Sequence, residues 1–581
     1  MKMKKTISLI LVLMLALSAI LTGCSGEKSN PAPAATDTAG NSGSAEKDAK
    51  QELIVQTRDD VLTMDPNLSS TIPDWKGTVP VYEGLTRTIT KEDGSVDVVP
   101  GVAESWDVSE DKMTYTFHLR KDAKWSDGQP VTAKDFEYTW QRIFDPEVAT
   151  PYAWMVQGVV KNADKIVNKE LDKKELGVKA IDDYTFEMKL EKPTPFFLTF
   201  AGFPTYAPVR KDLIEKYMEN GKSTYGSSVD KIVGNGPFIM TVWEPKGKMV
   251  YEPNPNYWNK KEVYLTKLTR QIIIEPNAIA QALIANETDI GGINDVNWNQ
   301  LVDATGLYDV KPMDDVNLEF LLFNCADPVL KNEKIRLALS LALDREGHAK
   351  DIDEGKAVAD YSIVPSSTSV GKLNYKEACK GENEVIKALA QKYKAKDLLL
   401  EGMKELGLGD DPSKVEVHYM TRGTAEYSKK SAEYLKQNIE SVLGIKFTID
   451  MTEWNIMYDN IDAGNYQIAQ CGWTADYNDP SNFFDLFHKT NGYYNFKKVK
   501  WDGEAADKYA ALIDKVNAQS DDAERVATYL EAEKVLLESA PMAPMHTGTL
   551  RNVIGKYVKG YYSNPYVYQD YVGVYLQGKS K

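Results

Sequence analysis

The sequence predicts an α/β protein of at least two lobes, each built on an open sheet. Three observations carry that expectation. The chain has 581 residues, 43% of them hydrophobic, more than a single compact core normally organises. Short β-branched runs alternate with helical segments along most of its length, the pattern of layered α/β architecture. Late in the chain that alternation becomes a clear βαβαβ unit.

The first residues read as a processing segment. A basic start, "MKMKK", precedes an apolar run from Ile7 to Leu21, and "LTGC" ends at Cys24. The run is too short and wrongly flanked for a spanning helix. It resembles the lipobox of bacterial lipoproteins, which implies a signal peptide over residues 1–23 and a lipid on Cys24. Residues 24–50 then form a tether without aromatic or large aliphatic side chains, so they cannot bury enough apolar area to fold. As a flexible coil the tether reaches roughly 25–30 Å, which holds a folded body just off a membrane surface.

In the body, "VEVHYMT" (Val415 to Thr421) alternates like a strand, and "AEYSKKSAEYLKQNIESVLG" has helical spacing closed by Gly444. "IKFTIDMTEW" is a strand, "NIMYDNIDAG" a short helix closed by Gly464, and "YQIAQCGW" a further strand. Ligands of open α/β sheets collect where loops converge beyond the carboxyl ends of strands. Here that place is "GWTADYNDP". Two more helices are predicted, Asn332 to Glu346 with Asn332 as N-cap, and "DAERVATYLEAEKVLLES". Between Tyr82 and Pro204, strand pieces ("MTYTFHLR", "YTFEMKL"), the turn "SDGQP" and a helix near "AKDFEYTWQRIF" read as an inserted subdomain.

Composition and motifs exclude several functions. A net charge of −16 argues against a nucleic-acid partner, which needs a basic face. Cys325, Cys379 and Cys471 form no CxxC pair, so neither a disulfide framework nor a zinc site follows from them. The histidines, His118, His348, His418, His488 and His546, show no HExxH or related spacing, and the chain lacks both GxSxG and GxxxxGK[ST]. "GNGPF" reads as a tight turn. "DYNDPSNFFD" lacks the glycine and terminal glutamate of a calcium loop. No metal or other cofactor is expected.

Longer motifs then carry a resemblance: "TMDPNLSST", "YEGLTR", the run from Pro100 to Ala153 containing "AKWSDGQPVTAKDF", "VGNGPF", "PNPNYW", "KIRLALSLALDRE" and "GWTADYNDPSNFF". The chain resembles solute-binding lipoproteins of bacterial peptide ABC importers, of the oligopeptide-binding type. The resemblance implies a periplasmic-binding-protein-like fold with a discontinuous first lobe (51–82, 205–295 and 545–581), an inserted subdomain (83–204) and a second lobe (296–544). A cleft between the lobes takes a peptide in extended form by β-augmentation. It also implies a monomer on the outer face of a Gram-positive-type membrane, with a permease as partner and no catalysis.

Carried over position by position, Asp476 matches the acid that holds the ligand's α-ammonium. Gly472, Trp473 and Thr474 match the strand that pairs with the ligand, with Cys471 at the cleft floor. Ser70, Thr71 and Ile72 match the opposing segment, and Trp454 and Tyr152 match aromatic pocket walls. Where some relatives place cations or a histidine for the ligand's carboxylate, this chain has Gln470, Asp327, Ser428 and Ile461, none of them basic. Carboxylate capture is then either absent or supplied from elsewhere, with Arg422, just past the strand Val415 to Thr421, as a candidate. Three alternatives stay open: another solute in the same fold (a signalling or cell-wall peptide, a sugar oligomer, a metal chelate), a secreted hydrolase, and an adhesion or chaperone-like protein.

Overall fold

The computed structural model describes residues 46–579, apart from residues 59, 294, 490–492, 495–497, 567 and 568. The signal peptide, Cys24 and nearly all of the tether read from the sequence lie outside these described residues. Among the described residues, no helix is long and apolar enough to cross a membrane.

One sheet of eleven strands runs through the molecule. In chain order these are β1 (Glu52–Thr57), β2 (Phe238–Glu244), β3 (Lys248–Pro253), β4 (Lys267–Ile272), β5 (Ile290–Gly292), β6 (Tyr308–Phe323), β7 (Ala357–Ala359), β8 (Glu416–Met420), β9 (Lys446–Asp450), β10 (Ile468–Thr474) and β11 (Met542–Gly555). Their spatial order is β2-β3-β4-β1-β5-β11-β6-β10-β8-β9, with β7 also on β11. Two half-sheets therefore meet on the long antiparallel pair β6 and β11. The β5 side joins β11 at Asn552 to Ile554, and the β10 side joins β6 at Asn317 to Phe323. The ladder breaks between those attachments, at Asp314/Leu318, and again at Glu319/Phe320 within the β10 side. An irregularity that interrupts pairing bends a ribbon, so the two halves turn relative to each other there.

The predicted βαβαβ unit forms as β8, β9 and β10, with β8 parallel to both neighbours. Its helices are Glu426–Leu443 and Trp454–Ala463, closed by Gly444 and Gly464 at φ of 76° and 75°. Those left-handed angles favour glycine. The helix predicted over Asn332 to Glu346 is instead two, Glu333–Leu341 and Arg345–Asp351. Asn332 caps the first as expected. Asp344 caps the second by accepting from the Gly347 N–H at 2.9 Å, which restarts the chain in a new direction. "GNGPF" is a bend in close backbone approach to the Tyr82 region: Gly236 N–H donates to Val81 O at 2.8 Å, and a Cβ on Gly234 would stand 2.1 Å from that oxygen.

Residues between Tyr82 and Pro204 build a separate four-stranded antiparallel sheet, Ala103–Val108, Thr114–Leu119, Thr185–Lys189 and Val178–Asp182 in spatial order. The helix Ala133–Ile143 packs on it and starts with a Thr132/Asp135 capping box. From the end of that helix, Arg142 reaches Asp65 with both terminal nitrogens, at 3.0 and 2.7 Å, and Asn67 at 2.8 Å. The pair is almost wholly buried. This contact fixes the segment that leads into Ser70 to Ile72. The apolar core of the small sheet is continuous with the core under β10, whereas β1 to β4 pack over a second core with Leu53, Tyr225 and Leu268.

Removing one partner of a buried bidentate pair strands the other charge. Arg142→Ala is therefore expected to lower unfolding stability by about 3–5 kcal/mol, measured by urea denaturation. Lys134→Ala, which breaks an exposed pair with Asp183, is expected to leave the midpoint unchanged.

Candidate ligand-binding site

Strand β10 sends alternate side chains to opposite faces of the sheet. Cys471 and Trp473 lie on one face, and Gln470, Gly472 and Thr474 on the other. β6 pairs with β10 along its whole length, but β8 pairs only at Ile468 and Ala469. Among the described residues, no strand covers the other edge from Gln470 to Thr474. Beyond it the chain turns and places Asp476 under a partner from the small-sheet region.

Asp476 is buried, 6% exposed. Its Oδ1 accepts the Tyr152 hydroxyl at 3.0 Å, and its backbone N–H donates to Asn482 Oδ1 at 3.2 Å. Burial dominates its electrostatics and pushes the carboxyl up to about 7, with the Tyr152 and Asn482 hydrogen bonds opposing. Tyr152 is held edge-on against Trp75, with ring centroids 4.8 Å apart. Trp473 donates its indole N–H to Asn482 Oδ1 at 2.7 Å, and its ring meets Trp154 at 6.2 Å and Tyr493 at 5.5 Å. Asn482 thus orients both the acid and the tryptophan. Nothing in the motif reading singled it out, although it lies six residues past Asp476 in the same turn.

Gly472 has a specific steric reason. It stands opposite Glu319 in register, and a Cβ would lie 2.6 Å from Glu319 Oε1. The glycine leaves room for the Glu319 carboxylate, which accepts Arg422 Nη1–H at 2.6 Å.

The structure brings Asp476, Trp473 and Tyr152 together, with the open edge at Gly472 and Thr474 beside them. It treats the other expected residues differently. Cys471 is wholly buried with its thiol pushed up to about 12 by desolvation, so its side chain belongs to the core below the strand and not to a cleft floor. Trp454 begins a helix, is 54% exposed and meets Tyr458 at a tilt, with ring centroids 4.7 Å apart. Thr71 caps the helix Ile72–Thr78, donating to Asp74 Oδ2 at 2.7 Å. The Ser70 N–H turns to the same carboxylate, and Ile72 is exposed. Arg422 is engaged by Glu319, so it is not a free carboxylate receptor. The buried Ile461 and Gln470, whose Oε1 accepts the Tyr419 hydroxyl at 3.1 Å, supply no cation either. In the "DYNDP" turn, Asp479 is taken by Arg525 at 2.7 Å and Tyr529 at 2.9 Å.

Two cavities flank β10. One, of about 440 Å³, lies between Trp154, Trp473, Tyr477 and Tyr493, with Asp485 and His488 in its wall. Burial pushes the Asp485 carboxyl up to about 7, with Lys192 opposing. The other, of about 330 Å³, lies on the Gly472 face among Glu319, Arg422, Gln470 and His546.

The raised carboxyl of Asp476 has a sign that can be checked. A group that holds its proton to higher pH in the fold than in the unfolded chain costs stability as pH rises through the interval between the two values. Asp476→Asn removes that cost. The variant is expected to match the wild type near pH 4 and to exceed it by about 2–4 kcal/mol at pH 8, read from urea unfolding at both pH values.

A family profile described as bacterial extracellular solute-binding proteins, family 5 (middle region), matches residues 97–495. The oligopeptide-binding protein OppA of Bacillus subtilis is 30% identical over 529 residues, covering 90% of this chain and 92% of that protein. The dipeptide-binding protein DppE of Bacillus subtilis is 30% identical over 563 residues, covering 96% and 97%. The solved structure of Haemophilus influenzae OppA in complex with RPPGFSPFR superposes with a TM-score of 0.69 at 26% identity, covering 92% of this chain and all of that one. A sheet split into two halves on a bent strand pair, with an acid and aromatic side chains at the end of β10, thus coincides with a match over most of the length: the chain belongs to the bacterial extracellular solute-binding proteins of family 5.

Proposed function

We propose that this protein captures peptides in extended form along the open edge of β10 and hands them to a membrane-bound ABC importer. The observation that carries the reading is the continuity of that edge with Asp476. Backbone groups of Gln470, Gly472 and Thr474 face that edge, with Gly472 O holding the Tyr494 hydroxyl at 3.1 Å; in this reading they pair with an incoming strand, and the buried carboxylate two residues beyond meets the ligand's α-ammonium. A charge-assisted hydrogen bond there contributes roughly 1.5–3 kcal/mol. The relatives named for oligopeptide and dipeptide binding, and the relative solved with RPPGFSPFR, support the ligand class.

In this reading Trp473 and Tyr152 wall the site, and Gly472 and Thr474 lend backbone. Cys471 supports the strand from beneath, with its side chain in the core and its main chain turned to β6. Trp454 and the Ser70 to Ile72 segment belong to its outer parts. The lobes are read as 51–82, 205–295 and 545–581 against 296–544, with 83–204 inserted. The folded body is a monomer without catalytic activity, held by lipid on Cys24 to the outer face of a Gram-positive-type membrane. No carboxylate receptor stands at the positions some relatives use, which favours peptides whose far end is not fixed by charge.

Ionisation makes the anchor testable. Below pH 7 Asp476 must release a proton to pair with an ammonium, and above about pH 8 a peptide α-amino group loses its charge. Affinity for a free-amino peptide is therefore expected to peak near pH 7–8, measured by calorimetry with tri- to hexapeptides. Asp476→Asn, or N-acetylation of the peptide, is expected to weaken binding at least tenfold, equivalent to about 1.4 kcal/mol, and to flatten the profile. Equal affinity for acetylated and free peptides would remove Asp476 from the site. A response to sugar oligomers alone, or cleavage of the peptide seen by mass spectrometry, would replace the peptide-capture reading.

A further inference from the structure

The fold assembles a second polar group from residues far apart in the chain. His348 lies on the helix Arg345–Asp351, Asp353 just past its end, and His546 on β11. His348 Nδ1 stands 3.1 Å from Asp353 Oδ2, and His546 Nδ1 stands 3.1 Å from the same oxygen. One donor atom from each residue lies within 4.8 Å of the others, and all three residues are buried. Donors bound at about 2.0–2.1 Å to a tetrahedral ion sit about 3.3 Å from one another. Two of the three edges already have that length.

Three details favour an ion over a simple hydrogen-bonded cluster. Asp353 Oδ2 faces both imidazoles at 3.1 Å, hydrogen-bonded to His348 Nδ1, while His546 Nδ1 meets it off the hydrogen-bonding direction. The outward atoms are already held: His348 Nε2 lies 2.8 Å from Ser431 Oγ, and Asp353 Oδ1 accepts the Tyr427 hydroxyl at 2.6 Å. Metal-ligating imidazoles and carboxylates are oriented by such outer partners, which here leave Nδ1 and Oδ2 facing inward. Finally, Glu319 stands opposite His546 in the β6–β11 ladder, and its buried Oε2 makes no hydrogen bond. The nearby cations do not stand unopposed, because Glu319 engages Arg422 and Glu354 engages Lys356.

We propose that His348 Nδ1, His546 Nδ1 and Asp353 Oδ2 form a binding site for a divalent metal ion of the zinc class. Two imidazoles and one carboxylate suit zinc and its first-row neighbours. Asp353, His546 and Glu319 line the same cavity of about 330 Å³, so the fourth position takes an oxygen donor from that side, either Glu319 or water. The site shares no residue with the Asp476 anchor, so either reading stands or falls without the other.

The test uses the full chain in detergent, stripped with chelator and dialysed into metal-free buffer. Zn²⁺ is titrated by calorimetry, and Co²⁺ by visible absorption. One ion per chain is expected, with tetrahedral cobalt bands and no cobalt–thiolate charge-transfer band. His348→Asn and His546→Ala are expected to weaken binding at least tenfold, while His118→Ala, at an exposed histidine paired with Asp107, leaves it unchanged. Failure of the wild type to bind either ion, a thiolate band, or undiminished binding by folded His348→Asn and His546→Ala would overturn the site. If those variants do not fold, the wild-type cobalt spectrum decides by itself: tetrahedral bands without thiolate sustain the site, and their absence overturns it.

Discussion

The pairing of β6 with β11 is the constraint on which the remaining architecture depends. Strands β1 to β5 reach the rest of the sheet through β11, and β8 to β10 reach it through β6. The ladder between them is regular from Tyr308 to Asp314, breaks, resumes at Leu318 and Glu319, and breaks again before Phe320. A continuous register would make one flat sheet of eleven strands, which right-handed twist disfavours. The two breaks let each half keep its own twist and its own core. They also place the Gln470 to Thr474 stretch of β10 beside the bend, where its second edge is left without a partner strand among the described residues.

That geometry explains why a costly carboxylate is retained. Asp476 lies beyond the end of β10, where the small-sheet region supplies Tyr152 and Trp154, and where Phe196 and Phe200 pack on Tyr477 at 5.3 and 4.9 Å. Aromatic rings from two parts of the chain surround the acid, and its burial disfavours the ionised form. Asn482 keeps the arrangement rigid by serving Asp476 and Trp473 at once.

Much of the fold was legible because local rules determine it. The βαβαβ unit followed from strand alternation, helical spacing and the glycines at 444 and 464, all of which act within a few residues. Asp476, Trp473 and Tyr152 were singled out by motif resemblance; the fold pairs Tyr152 with Asp476 directly and ties Trp473 to Asp476 through Asn482. The expectations for Cys471 and Arg422 failed for one physical cause, dependence on distant strands, and the helix for a local one. Whether Cys471 faces a cleft or a core depends on which side of β10 the Phe320, Phe487 and Tyr494 rings occupy. Whether Arg422 is free depends on Glu319, a residue of another strand. The single helix expected over Asn332 to Glu346 overlooked that an aspartate inside an apolar run can cap a new helix.

By itself the sequence determined the α/β class, the composition of the first fifty residues, the absence of common nucleophile and phosphate-loop motifs, and the acid and aromatic side chains of the "GWTADY" motif. These are properties of composition and of neighbours along the chain. Tertiary structure alone decided which strand edge stays open, that Asp476 is desolvated by Tyr152 and its surroundings, and that His348, Asp353 and His546 meet. Such outcomes depend on long-range strand register, and a register is set by the sum of many weak packing contacts that no short stretch of sequence contains.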